Sequence, residues 1–417
     1  MEQIDNCDLI ITADNGISSY EAAEICKQRE IDLIITDHHT PSYPLPDAYT
    51  IINPKQKDDK FSFSEICGAE VAWYFMASIN SFLKTNIDMK EFLEYLVLAI
   101  IADIMPLTHL NRTLVKMGLS RFKKSTKPFV IILKEKLNKN SFKSEDIAFL
   151  VAPLLNSAGR MSDADLAFKF LNSKNIETAT KYFNKLNDIN QKRKETEKEI
   201  THLCIKDNTP SNIVIAYGPF HEGVLGIVAA KLVNHFKLPA IVFNNEKEIL
   251  KGSGRSLGDI NLYELLENCQ EYLVNFGGHK LACGVSIKKE NIEKFRTKID
   301  KEIEKLPKKS FYLEDNILGE IPLKECDFEL LDILEQFEPF GEGNPKPTFK
   351  AKVKIKTIKN LKNNHFKLIV SQNEIIKEAI IFGYNGEFQE EMEIVFNVKE
   401  NNFNGNRKIQ LLLKHFT

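Results

Sequence analysis

No apolar run in the 417-residue sequence approaches the ~20 consecutive residues that a membrane-spanning helix needs. The longest, from Leu96 to Ala102, stops at Asp103. No membrane partner is therefore expected. Met1 to Asn6 show no basic stretch followed by an apolar one, so no secretory leader is read there. The seven cysteines are odd in number and scattered, and none form a C-x-x-C pair. That pattern argues for reduced, mostly buried thiols in a cytoplasmic protein. Surplus charge is missing too: 56 Lys+Arg stand against 58 Asp+Glu, a net charge of -2. This excludes a globally basic coat protein for nucleic acid but leaves room for a local basic patch. Internal repeats and low-complexity tracts are also lacking. What is present is apolar material, 43% of residues, enough for folded cores, in a chain long enough for two or three domains.

The order of elements reads as α/β. Cys7 to Ala13 and Ile31 to Thr36 are short apolar runs, and Ser18 to Arg29 between them has helical spacing. Strand, helix and strand within about 30 residues imply parallel neighbours, with ligands at the carboxyl ends of the strands. Asp14 and Asp37 stand at those ends. Residues 64–133 and 143–206 read as helical, and the charged stretch from Asn187 to Ile205 reads as a solvated helix bridging two domains. A second α/β unit begins at Ile213. Beyond residue 345 the period changes to two, and five strand-like runs suggest a small barrel.

Three constellations carry chemistry. The first is Asp14 with Asp37-His38-His39 and Asp103. Asp14 alone would read as a cap or turn residue, and Asp103 alone as a polar helix end. Two adjacent imidazoles beside a carboxylate at a strand end have little structural purpose, and the set together favours a divalent metal such as Mn²⁺. Gly16 lets the chain turn sharply after Asp14. The second is Gly254-Arg255-Ser256 with Gly277-Gly278-His279, which on spacing alone reads equally as glycine turns or as a phosphate site. Arg160 reads as a surface residue or a backbone-phosphate contact, and His221 equally as structural or functional. The third is the C-terminal segment from Gly341, with 13 Lys+Arg against 8 Asp+Glu, a net +5. Lys350, Lys352, Lys354 and Lys356 alternate with apolar residues, so on a strand they line one face and could form a track for a single strand. Phe349, Phe366 and Phe382 are candidate stacking partners.

Thr12 to Ser19, Asp37 to His39 and Ala99 to Leu107 resemble motifs of the DHH phosphoesterase superfamily, and within it of the RecJ family of single-strand-specific exonucleases. Leu155–Arg160, His221–Gly226, Gly252–Ser256, Phe276–His279 and Glu338–Pro345 continue the resemblance nearly end to end. It implies a parallel-sheet DHH domain over 1–135, a helical connector over 136–206, a smaller α/β DHHA1 domain over 207–306 and an OB-like β-barrel over 307–417. It also implies a Mn²⁺- or Mg²⁺-dependent 5′→3′ exonuclease releasing mononucleotides in recombination and repair. Asp14, His38 and Asp103 would be metal ligands, Asp37 would support the histidines and His39 would lie near the scissile phosphate. Arg160, His221, Arg255, Ser256, Gly277, Gly278 and His279 would face the substrate. Single-stranded DNA is the implied partner, with a helicase or single-strand-binding protein as a further candidate.

In the family an earlier Asp-rich strand end supplies ligands for a second ion, and no equivalent stands before Asp14. Asp5 and Asp8 lack that motif's glycine and strand context. The expectation is an N-terminally incomplete DHH domain with ligands for about one of two ions and exposed apolar sheet surface. The competing expectations are a non-catalytic single-stranded-DNA-binding remnant and a DHH-type phosphatase or nano-RNase.

Overall fold

The computed structural model describes residues 7–312, 316–361, 364–403 and 406–416. Met1 to Asn6, including Asp5, lie outside the described residues. The chain divides into two compact units. One holds residues up to Ser125, Leu137–Ala152 and Asn316–Thr417, and the other Thr126–Lys136 and Pro153–Asp315.

The first unit opens with the anticipated βαβ arrangement. β1 (Leu9–Ala13), β2 (Asp32–Thr36) and β3 (Thr50–Ile52) pair in parallel in that order. The helix Tyr20–Gln28 buries Ala23 and Cys26 against Leu33 and Ile35. The register sets Ala13 beside Thr36. Asp14 and Asp37 therefore leave neighbouring strands at one rim, with the Asp14 N–H donating to Thr36 O at 2.9 Å and the Asp37 N–H to Ile52 O at 3.0 Å. Leu9 and Ile11 on β1 are half-exposed at the sheet edge.

Helices Gly68–Leu83, Leu93–Ala102 and His109–Lys124 follow. The middle one is apolar on nearly every face and is buried accordingly. Gly118 permits the third to approach it, because a Cβ there would stand 2.2 Å from Val97 and 2.7 Å from Leu93 O. Among the described residues no helix is long and apolar enough to cross a membrane.

In the second unit the helix Ile176–Asp207 runs 32 residues, capped by Asn175 accepting from the Thr178 N–H. Its charged stretch is not wholly solvated, as the spacing suggested. Asn190, Arg193 and Glu197 form a buried stripe, with Arg193 Nη1 2.7 Å from Glu197 Oε2. Spacing of three and four residues puts these polar groups on one face, and burial then requires them to satisfy one another. The sheet of this unit holds β4 (Val214–Gly218), β5 (Ala240–Asn244), β6 (Ile249–Arg255), β7 (Leu273–His279) and β8 (Ala282–Lys288), in the order β4-β5-β6-β8-β7. The glycine-rich motifs are not turns. Gly252 and Gly254 lie within β6, where a Cβ would strike the Phe243 ring or Leu262. Gly277 and Gly278 lie within β7.

The barrel belongs to the first unit. β9 (Ile317–Glu320) pairs in parallel with β10 (Thr348–Asn360); β11 (Phe366–Gln372), β12 (Ile375–Ile381), β13 (Glu391–Phe403) and β14 (Asn406–Phe416) complete it. The β10–β11 pairing closes five strands into an OB-like barrel. Alternation on β10 sends Phe349, Ala351 and Val353 inward onto Leu368, Val370, Ile394 and Phe396.

Candidate metal centre and phosphate-facing residues

At the rim of β1 and β2 the chain turns abruptly. Asp14 adopts a left-handed backbone with φ +63, which a short polar side chain tolerates better than most. Gly16, at φ +113, meets the same need. The turn aims the Asp14 carboxylate across the rim at His38. His38 Nε2 lies 3.1 Å from Asp14 Oδ1 and 3.4 Å from Asp103 Oδ2. Asp103 arrives from elsewhere, at the C-terminal end of Leu93–Ala102. The His38 ring is buried while both carboxylates are partly open to solvent. Nitrogen atoms of His38 and His39 and an oxygen of Asp14 all lie within 4.8 Å of one another.

Asp37 is almost fully buried and organises the turn. Its Oδ1 accepts from the His38 and His39 N–H groups at 2.8 and 3.2 Å and sits 2.7 Å from His39 Nδ1, and its Oδ2 accepts from the Ile17 N–H at 2.9 Å. Burial pushes this carboxyl up, but these donors outweigh it and hold it below its ordinary value. Asp37 thus orients the ring of His39, whereas His38 Nδ1 is buried without a hydrogen-bond partner in the structure. Hydrogen bonding to Asp14, opposed by burial and helped by the charge of Asp103, lifts the His38 pKa.

The donor set fits a hard to borderline divalent ion: carboxylate oxygens and imidazole nitrogen, with no thiolate among the converging atoms. Two carboxylates converging on one ring nitrogen place negative charge where, without a cation, only a proton can balance it.

Glu70 and Gly68 escaped the sequence reading. Glu70 is fully buried, accepts from the Cys67 N–H at 2.8 Å and leaves its Oε1 without a partner. Burial raises its pKa to about 7, partly offset by that N–H and by His38. Gly68 lies against Asp14, and a Cβ there would sit 2.2 Å from Asp14 Oδ1. The Cys67-x-x-Glu70 spacing at a helix start was the available signal. Asn53, fully buried, donates to the His39 carbonyl at 2.9 Å.

The substrate-facing candidates gather within the second unit. Arg255 Nη1 donates to Ser253 Oγ and Gly254 O, and a Cβ on Gly226 would stand 2.8 Å from Arg255 Nη2. Burial, reinforced by the nearby Arg160 guanidinium, pushes the Arg255 pKa down. Arg160 Nη1 lies 3.4 Å from Gly223 O. Two guanidiniums held together this way favour an anion between them. His221 Nδ1 accepts from the Gly223 N–H at 3.1 Å and so caps a short helical turn, a structural task. The Ser256 hydroxyl is committed to Ile260 O. Arg255 and His279 flank Ala282 on opposite sides of β8. Gly278 takes φ +138 beside Ala282 O, a position closed to a side chain.

The barrel's lysine face is not a plain basic stripe. Lys350 pairs with Glu393 at 3.1 Å and Lys354 with Glu391 at 2.9 Å. Lys352 and Lys356 are exposed. Of the three aromatic candidates, Phe349 is buried and Phe366 packs on the core, which leaves the exposed Phe382.

Comparison with known proteins adds to this geometry. Residues 2–100 match the family model described as the DHH family N-terminal domain, 211–305 the DHHA1 domain and 317–415 the RecJ OB domain. A relative from Escherichia coli, the single-stranded-DNA-specific exonuclease RecJ, is 30% identical over 97% of this chain and 76% of its own length. The Thermus thermophilus RecJ in complex with Mn²⁺ superimposes with a TM-score of 0.88 at 25% identity, covering 98% of this chain. This chain spans 62% of that protein's length. A second structure of the Thermus protein, in complex with Mg²⁺, has a TM-score of 0.81 at 24% identity over 98% of this chain and 61% of its own.

Proposed function

Because the chain belongs to the RecJ family of single-stranded-DNA-specific exonucleases, we propose that it hydrolyses phosphodiester bonds of single-stranded DNA from the 5′ end, releasing 5′-mononucleotides. The observation that carries this reading is the convergence of Asp14 and Asp103 on His38 Nε2. Asp14, His38 and Asp103 would hold Mn²⁺ or Mg²⁺, the ions of the Thermus structures. Such an ion supplies electrophilic charge for phosphodiester hydrolysis.

The chain's own residues do the rest. Asp37, held ionised by its donors, fixes the His39 ring, so that the remaining ring nitrogen is free to face a phosphate. Gly68 leaves room for the Asp14 carboxylate, and the left-handed turn at Asp14 aims it. Arg255 and Arg160 grip backbone phosphate, and Gly277, Gly278 and His279 line the same sheet end. The barrel, through Lys352, Lys356 and Phe382, holds the strand at a distance from the cut.

The domain limits we adopt are 1–135, 136–206, 207–306 and 307–417. A cytoplasmic location and a helicase or single-strand-binding partner in DNA recombination and repair belong to the same reading.

A 5′-labelled oligonucleotide with Mn²⁺ tests it. Wild-type chain is expected to release labelled mononucleotide, and Asp14→Ala and His38→Ala to abolish release to a similar degree. Release from the 3′ end, or release undiminished in Asp14→Ala, would refute it.

A further inference from the structure

The loop from Asp103 to His109 is held in an unfavourable shape. Asp103 ends its helix, and the next residue, Ile104, has φ +56. A β-branched side chain rarely accepts this conformation. The Ile104 N–H bonds Ile101 O and the Met105 N–H bonds Ile100 O, which closes the helix end. Six residues after Asp103, His109 has φ +41. Such strain persists only where the surroundings over-determine it.

Between these two strained residues, Pro106, Leu107 and Thr108 are packed by a segment more than 220 residues away, the sequence Glu338-Pro339-Phe340-Gly341-Glu342-Gly343-Asn344-Pro345. The Leu107 N–H donates to Glu342 O at 2.6 Å. Gly341 packs on Leu107, where a Cβ would be 2.7 Å from Cδ1, and Gly343 lies against Pro106. Arg112 Nη2 donates to Phe337 O at 3.0 Å and Glu338 O at 3.1 Å. Asn344 Nδ2 donates to Phe337 O and Pro339 O, closing the segment on itself. Ser144 Oγ donates to Phe340 O at 2.6 Å, and Lys143 pairs with Glu335 and Glu338. Leu107 is itself buried.

We propose that this segment, at the entrance to the barrel, is a brace that positions Asp103. Gly341, Asn344 and Arg112 are then positioning residues: they touch neither metal nor DNA and act through the 103–109 loop. The two glycines are required because the brace must lie backbone-to-side-chain against Pro106 and Leu107. The brace ties the single-strand-binding barrel to one metal carboxylate, so the geometry of the centre depends on the barrel being docked. The inference rests on the reading of Asp103 as a ligand.

Titration of Mn²⁺ into the full chain without DNA, followed by calorimetry, tests it. Gly341→Ala and Arg112→Ala are expected to weaken Mn²⁺ binding about tenfold, the scale seen when groups supporting metal ligands are removed. Leu107→Ala in the Gly341→Ala background is expected to recover most of that loss by making room for the added methyl. Amide exchange at Leu107 should accelerate in both single variants. Where Arg112→Ala does not fold, Arg112→Lys replaces it, keeping the charge and losing the fork. Asp103→Asn separates the two claims. If it weakens Mn²⁺ binding while the brace variants bind as wild type with unchanged Leu107 exchange, the brace is overturned and the site stands. If Asp103→Asn itself leaves binding unchanged, the ligand reading fails and the brace fails with it.

Discussion

Replacing Glu70 by glutamine isolates the cost of a buried carboxyl behind the metal centre. Glu70 is fully buried with one oxygen unpartnered, and its pKa rises from 4.5 to about 7. A carboxyl whose folded pKa exceeds its unfolded value binds more protons when folded. Its stability contribution is therefore fully present below about pH 4.5 and is lost as pH climbs to about 7. At ~1.36 kcal/mol for each tenfold in proton affinity, the loss is about 3 kcal/mol. Glutamine keeps the acceptor for the Cys67 N–H and cannot ionise. The single tryptophan, Trp73, stands on the same helix and donates to Met89 O at 2.9 Å, so its fluorescence reports this region during urea unfolding. With a chelator present, Glu70→Gln minus wild type should become more favourable by about 3 kcal/mol between pH 4.5 and pH 8. A difference that stays flat across that range, or moves the other way, would refute the reasoning.

Three further outcomes follow from the same structure. Glu391→Gln with Glu393→Gln frees Lys354 and Lys350 and should tighten single-stranded-DNA binding; the slope of log affinity against log salt should steepen by about 0.7 for each phosphate newly neutralised. Arg193→Met removes one of the two cations paired with the buried Glu197, leaves Lys231 on its other oxygen, and should destabilise the second unit by about 1–3 kcal/mol in thermal or urea unfolding, whereas an exposed pair such as Lys169–Asp165 should matter little. Arg255→Lys keeps the charge but loses the planar fork, so KM for short oligonucleotides should rise about tenfold while Mn²⁺ affinity stays constant; unchanged KM would remove Arg255 from the substrate.

Much of the site was legible in the chain because its chemistry is local. Asp37-His38-His39 is contiguous, Asp14 lies one βα repeat away, and apolar runs of strand length placed both at strand ends. Parallel pairing then obliges neighbouring ends to share a rim. The barrel was legible for a similar reason: period-two alternation on Lys350–Ile355 names the face of each side chain, up to the register shift between Ile355 and Thr357. Glu70 was not, because nothing in Cys67-Gly68-Ala69-Glu70 says how deeply the helix start is buried. His221 stayed open, as structural or functional, from a lone imidazole near a glycine; the structure adds a capping hydrogen bond from the Gly223 N–H to its Nδ1. The glycines of Gly252–Arg255 and Phe276–His279 read equally as turns or as a phosphate site; they lie inside strands, where Gly252, Gly254 and Gly278 permit close packing.

By itself, then, the sequence determined which groups could do chemistry, the order of the elements and the face each residue takes within its own strand or helix. These follow from residue type and short-range period. Tertiary structure alone decided what each face meets. Cross-strand register set Glu391 and Glu393 against the lysines, and burial turned a charged helix into the Arg193–Glu197 pair. Docking of residues 338–345 onto Leu107 brought a remote segment to the support of Asp103. Each of these joins residues far apart in the chain, and only packing free energy, summed over the whole unit, selects such contacts.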